Sequence, residues 1–201
     1  MRKRSDAIIP LYQRHGFAWD ADRRASGWND RVWHDRFVAL LPKGASVLDL
    51  GCGGGDPVAA NLIANGFSVT GVDASEPLID LCRARFPAET FICADMRTLA
   101  LDRAFAGILA WDSFFHLDHD DQRRMFDVFA HHASPGTLLM LNTGPAHGEA
   151  IGTYRGDELY HASLDPQDYR DLLASANFDV LDARMQDASA GGRSVWLARR
   201  R

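Results

Sequence analysis

The sequence predicts an α/β domain: a doubly wound, mostly parallel, seven-stranded sheet with helices on both faces. Three observations predict it. From Ser46 onward, short apolar runs alternate with amphipathic segments bounded by Asp, Ser, Pro and Gly, the pattern of parallel strands joined by crossover helices. The 201 residues are 46% hydrophobic and 24% charged, enough for one domain with a full core. The first apolar run, "SVLDL", ends in "GCGGGDP", a turn almost without side chains where a doubly wound sheet binds ligands.

The elements follow in order. "SDAIIPLYQRHG" predicts a short helix interrupted near Pro10, and "FAWDADRRASGW" a loop or frayed turn. "NDRVWHDRFVALLPKG" is a clearer helix, with Val32, Trp33, Phe37, Leu40 and Leu41 at near-helical spacing and Pro42 and Gly44 ending it. After the strand at Ser46, Asp56 is the expected N-cap and Pro57 the first residue of a helix closed by Gly66. "FSVTGV" is a second strand, followed by a helix capped by Ser75. "TFICA" and "FAGILAW" are the third and fourth strands. Asp118, with Asp121 three residues on, caps the next helix. "GTLLMLNTG" is the fifth strand, and Asp165-Pro166 opens a helix through Ala176. "FDVLDAR" and "SVWLAR" read as an antiparallel pair at one sheet edge. The chain divides into a helical cap (1–45), a central core (46–143), a lid or acceptor loop (144–164) and a C-terminal helix with its strand pair (165–201), all in a single domain.

Composition narrows the function. A net charge of −5 does not suit a nucleic-acid binder, which needs a basic face. The basic clusters "MRKR" and "RRR" read as solvated termini. Cys52, Cys82 and Cys93 are odd in number and form no Cys-x-x-Cys pair, so neither a disulfide framework nor a thiolate metal site is expected, and a cytoplasmic setting fits. "AIIPLY" is too short for a signal segment, and no run approaches a membrane span. His116-x-x-His119 with Asp118 and Asp120 has a metal-like spacing, but Asp118 is better explained as a cap, and no metal is expected.

The glycine turn separates two cofactor classes. A dinucleotide fingerprint places glycine where this chain has Asp56, and an aspartate beside a pyrophosphate is unfavourable. The pattern Asp49-x-Gly51-x-Gly53 instead resembles motif I of the class I S-adenosylmethionine-dependent methyltransferases. The resemblance runs in order of elements from Ser46 to the end, with motif-level matching mainly over 47–117. It implies a Rossmann-like methyltransferase fold, S-adenosyl-L-methionine as cofactor, and methyl transfer by in-line displacement. Gly51, Cys52 and Gly53 then let backbone approach the methionine and ribose portions, and Asp49 supports the turn and the cofactor's positive amino end. Asp73, with Ala74 beside it, lies about 20 residues after the turn, where an acid meets ribose hydroxyls. By the same resemblance Asp95 accepts from the adenine amino group and Met96 packs on the ring; Arg97 is a structural partner for Asp95.

The segment after the fourth strand, "ILAWDSFFHL", lies beside the transferred methyl group in that family. Trp111, Asp112, Ser113 and His116 are therefore the chemical candidates. His116 is the first choice for a base or substrate-positioning group, with Asp112 second; a histidine packed at a loop–helix junction is the alternative. Trp111 also borders the cofactor. Tyr12 and Arg23 of the cap are candidates for the sulfonium region and the cofactor carboxylate, with simple packing as the alternative. Tyr160 and His161 are candidates for the acceptor pocket, since a long glycine-rich connection is often a binding loop, although "LYHASL" also has the alternation of a short strand.

The expected partner is a small-molecule acceptor, with no nucleic acid or membrane, and a monomer or homodimer. Asn-Pro-Pro-Tyr, found in many amino-methylating DNA and protein enzymes, is replaced by Ala110-Trp111-Asp112-Ser113. Two other functions are weighed. An NAD(P)-dependent oxidoreductase lacks a Tyr-x-x-x-Lys pair, since Lys3 and Lys43 are the only lysines. A non-catalytic S-adenosylmethionine-binding regulator would keep the fold without turnover.

Overall fold

The computed structural model describes residues 3–201; the first two residues of the "MRKR" cluster lie outside the described residues. Five parallel strands form the centre of a seven-stranded sheet: β1 (Ser46–Leu50), β2 (Ser68–Asp73), β3 (Thr90–Cys93), β4 (Phe105–Ala110) and β5 (Ala133–Thr143). A two-stranded β6 (Gly148–Tyr154) and β7 (Asp157–Ser163) form a separate hairpin, and β8 (Phe178–Asp187) and β9 (Arg193–Arg200) complete the main sheet. Strand order is β3-β2-β1-β4-β5-β9-β8, with β9 antiparallel to both neighbours. The chain order reverses between β1 and β4, so the ends of β1, β2 and β4 surround one crevice.

Six α-helices accompany these strands: α1 (Ile8–Ala25), α2 (Arg31–Leu40), α3 (Val58–Ala64), α4 (Glu76–Arg85), α5 (His119–His131) and α6 (Pro166–Ser175). Alternate strand residues feed two apolar layers. Leu48 and Leu50 join Phe114, Phe126 and Phe129 on one face, while Val47 and Val69 join Trp33, Phe37 and Ile79 on the other. That two-sided burial is what makes the central strands continuously apolar. Among the described residues no helix is long and apolar enough to cross a membrane.

The N-terminal region departs from expectation. α1 is one 18-residue helix, not a short helix followed by a loop. Pro10 lies in its first turn, where proline is tolerated, and Gly16 is bare because α4 packs there: an added Cβ would lie 3.0 Å from Leu78. In α2, Trp33 and Phe37 are buried as expected, but Val32 and Leu40 face outward. Asp56 does not cap α3, which begins after Pro57. Ser75 stands at the N-cap position of α4, yet its hydroxyl donates to the Tyr12 carbonyl at 3.0 Å, tying α4 to α1. Asp118 and Asp165 do cap α5 and α6, accepting from the amides of Asp121 and Gln167.

The segment 144–164 is mostly a hairpin and not an open loop. Arg155 (φ 49°) and Gly156 (φ 91°) form its tip, the positive φ pair of a tight two-residue turn. Its register sets Ala150 opposite His161 and Ile151 opposite Tyr160, so those two candidate residues point to opposite faces. Phe129 is fully buried at the centre of the layer beneath α5. Phe129→Ala is expected to cost about 3–5 kcal/mol, read as a lower urea midpoint at unchanged m-value.

Candidate active site

The turn after β1 explains its own glycines differently from place to place. Gly51 has φ 76°, and a Cβ there would collide with the Ser113 side chain. Gly54 is bare because the Asp20 carboxylate of α1 occupies the space a Cβ would need. Only Gly53, at φ 55°, faces open space. Protein packing therefore accounts for the bare backbone at Gly51, expected to serve a ligand, and at Gly54; Gly51 and Gly53 both line the crevice, and Gly53 is the one with an open side. Its amide donates to Asp73 Oδ2 at 2.9 Å, and the Ser75 amide donates to Oδ1 at 2.9 Å. Asp73 is thus fixed by two backbone donors, and each oxygen keeps a lone pair for a further donor.

A first cavity runs over the ends of β2 and β3. Gly53, Asp73, Ala74, Met96 and Leu78 line it, with Tyr12 and Trp19 of α1 above. Asp95 also borders it, but Arg97 engages both carboxylate oxygens, at 2.9 Å through Nε and 2.6 Å through Nη2 on Oδ2. Arg97 is the structural partner expected, and Asp95 stays on the cavity wall beside Met96.

A second cavity continues toward α3. Asp49, Cys52, Gly53, Arg23, Trp111 and Asp20 line it. Asp49 is 2% exposed and its Oδ2 has no hydrogen-bond partner. Burial, reinforced by the charge of Asp73, pushes its carboxyl up to about 7. A buried carboxylate oxygen without a donor is costly, and a ligand cation in this cavity would satisfy it. Arg23 reaches the cavity while holding Asp30 at 3.3 Å. The Trp111 indole N–H also donates to Asp30, at 2.7 Å, so its polar edge is committed to the protein and its ring forms wall.

A third cavity opens between α1 and the hairpin. Tyr12, Trp19, Asp112, Phe115, His116, Leu159, His161 and Arg193 line it. His116 is 6% exposed, and burial lowers its pKa to about 4. Its Nδ1 lies 2.8 Å from the Tyr160 carbonyl and its Nε2 lies 3.0 Å from the Tyr12 hydroxyl. The His161 ring stacks on it at 4.9 Å.

Three sequence candidates take other positions. Asp112 does not stand free as an acid–base group: Arg193 binds it through Nε at 2.7 Å and Nη2 at 2.8 Å, and Asn142 donates to it at 2.8 Å. Ser113 turns its hydroxyl to the Leu50 carbonyl at 2.7 Å. The Tyr160 side chain lies on the far face of the hairpin, where its hydroxyl donates to Glu149 and its ring packs with Ile8; only its carbonyl serves the site. Sequence reasoning missed Asp20, Asp30, Asn142 and Arg193. None lies in a motif, and Arg193 reaches Asp112 from 81 positions away.

A family model described as a methyltransferase domain matches residues 47–136. A carboxy-S-adenosyl-L-methionine synthase of Haemophilus ducreyi is 28% identical over 81% of this chain and 74% of its own length. An O-methyltransferase of Pyrenophora dematioidea is 30% identical over 69% of this chain, which spans 56% of that protein. Among solved structures, a 1,6-didemethyltoxoflavin N1-methyltransferase of Burkholderia thailandensis superposes with a TM-score of 0.76 at 19% identity, covering 100% of this chain and 91% of its own. Magnesium protoporphyrin IX methyltransferase of Synechocystis, with bound S-adenosylmethionine, gives 0.75 at 19% identity, covering 100% and 99%. At such identities the superpositions establish the fold. With the matched domain, the sequence relatives and that fold, the chain belongs to the class I S-adenosylmethionine-dependent methyltransferases, and S-adenosylmethionine is its cofactor.

Proposed function

We propose that the protein methylates a small molecule held in the cavity between α1 and the hairpin. The observation that carries this reading is a shared wall: Tyr12, Trp19, Asp112 and His116 line both the first cavity and the third. An acceptor in the third cavity would therefore be separated from the cofactor site by this one wall of side chains. Helix α1 and the hairpin close over that space, which favours a compact acceptor over a macromolecular one. The Burkholderia neighbour, whose structure holds 1,6-didemethyltoxoflavin, supports an acceptor of that size.

The residues fit the cofactor. In this reading Asp49 Oδ2 takes the ammonium group, and the remaining lone pairs of Asp73 take the ribose hydroxyls. Met96 and Leu78 pack the adenine, and Arg23 keeps an N–H for the carboxylate. When bound, S-adenosylmethionine supplies a methyl carbon activated by a sulfonium, ready for in-line displacement. The chain's contribution is alignment and exclusion of water: Trp19, Trp111, Phe115 and Leu159 wall the space, and Asp112, clamped by Arg193 and Asn142, holds the turn where the cavities meet.

Asp49 gives a test with a definite sign. Its carboxyl, raised to about 7, must ionise to meet a cation. Affinity for S-adenosylhomocysteine, measured by calorimetry, is expected to rise between pH 6 and 8 as the proton leaves. Asp49→Asn is expected to flatten that rise and to weaken binding at pH 8 by about 1.5–3 kcal/mol. A second test follows isotopically labelled methyl from S-adenosylmethionine into a panel of phenols, amines and thiols, with unfractionated tRNA and protein alongside. Label is expected only in small molecules; label confined to tRNA or protein would overturn the acceptor class.

A further inference from the structure

We infer that Tyr12 is the group that meets the acceptor, and that it selects a neutral hydroxyl or amine whose proton passes through Tyr12 to His116. This rests on reading the third cavity as the acceptor site. The direction of the hydrogen bonds carries it. The Tyr160 carbonyl 2.8 Å from Nδ1 can only accept, so Nδ1 bears the imidazole proton. Nε2 is then a lone pair, and the Tyr12 hydroxyl, 3.0 Å away, donates to it. Tyr12 has one proton and has spent it. What its oxygen offers the cavity is lone pairs, and these select an incoming donor.

The surrounding charges point the same way. Burial raises the Tyr12 pKa, with Asp73 and Asp112 adding to it, so the phenol stays protonated. Arg193, the cation on the cavity wall, is taken up by Asp112 at 2.7 Å and lies 3.7 Å from Asp30. Burial lowers the pKa of His161, which stacks on His116. A carboxylate or phosphate would enter this cavity with no free cation to meet it; a neutral O–H or N–H group finds the tyrosine oxygen.

The proton balance is simple. The acceptor's X–H bond breaks and its proton bonds to Tyr12 Oη, while the Tyr12 proton bonds to His116 Nε2. The pair freed on a hydroxyl oxygen, or the lone pair an amine already carries, would bond the methyl carbon as the carbon–sulfur bond breaks, leaving that bond's electrons on sulfur in S-adenosylhomocysteine. The imidazolium so formed keeps its Nδ1–H on the Tyr160 carbonyl. His116 lines the cavity, but Tyr12 and the Tyr160 carbonyl occupy its two ring nitrogens, so it acts through Tyr12 and not as the direct base.

Two measurements test this. Nitrogen NMR of the ligand-free protein is expected to show His116 protonated at Nδ1 with Nε2 as a hydrogen-bond acceptor, and the Nε2 resonance is expected to move in Tyr12→Phe. An Nε2–H tautomer would overturn the proposal whatever the enzyme turns over. In the second, phenol, anisole and benzoate are titrated into the protein saturated with S-adenosylhomocysteine. Phenol is expected to bind about tenfold tighter than anisole, the worth of one added hydrogen bond, with benzoate weaker than both and the phenol preference lost in Tyr12→Phe. Equal binding of phenol and anisole, or a preference that survives in Tyr12→Phe, overturns it. Failure of S-adenosylhomocysteine itself to bind would instead count against the cofactor assignments of the preceding subsection.

Discussion

Two carboxylates held dry at the ends of neighbouring parallel strands govern this site. Asp49 is the penultimate residue of β1 and Asp73 the last of β2, and burial raises the pKa of both. Among the described residues neither forms a salt bridge, and Asp49 Oδ2 has no donor at all. A folded protein does not hold such groups for stability, because an unmatched buried charge is destabilising. The arrangement makes sense when a cationic, hydroxyl-bearing ligand supplies what the protein withholds. The backbone donors to Asp73 and the open side of Gly53 then become parts of one cradle.

Closure over that cradle uses two grades of ion pair. On one side Asp20, 4% exposed, receives both Arg85 Nη atoms at 2.5 and 2.6 Å, while Arg85 also donates to the Gly54 carbonyl at 2.8 Å. This ties α1, α4 and the glycine turn into one unit, and breaking it would strand a buried charge. On the other side α1 meets the hairpin through Arg14 and His15 on Asp157, and through Asp22 on Tyr154 and Arg155. Those partners are largely exposed, where such pairs contribute little. The helix is therefore held at the glycine turn by a buried ion pair, and at the hairpin by exposed pairs together with the apolar cluster of Ile8 and Tyr12 with Leu159, Tyr160 and Ala162.

Much of the fold was legible because two-sided burial leaves a strong mark. Continuous apolar strands such as "VLDL" and "GILA" and the caps Asp118 and Asp165 carry local signals, and the structure follows them. The errors came where tertiary contacts override local ones. Pro10 suggests a break only when its place in the first turn is unknown. Gly16 weakens a helix on paper and fits α4 in the structure. In "GEAIGTY" glycine and alanine at alternate positions mimic a loop, while the pairing with β7 makes them one face of a hairpin. At the site, sequence pointed to Asp49 and Asp73 near strand ends and to His116 in the turn that follows β4, because topology delivers those segments to the crevice. Tyr160 and His161 are adjacent and equally plausible in sequence, and only the register separates them.

The residue that shows most clearly why the remainder was illegible is Asp112. It adopts φ 49°, a left-handed conformation disfavoured for a side chain with a Cβ. Glycine would take that conformation freely, so something must reward aspartate there. The reward is distributed over distant parts of the chain: its amide donates to Asn142 Oδ1 at 2.8 Å, Asn142 returns a bond to its carboxylate, and Arg193 grips the same carboxylate from β9. Arg193 also lies 3.7 Å from Asp30, which holds Trp111 and Arg23. One residue in an uncommon backbone conformation thus gathers β4, β5, β9 and the α1–α2 connection at the point where all three cavities touch. A network of that kind has no local period or spacing to read. It is specified by the sheet order that brings β9 beside β5, and it exists only once the whole domain has folded.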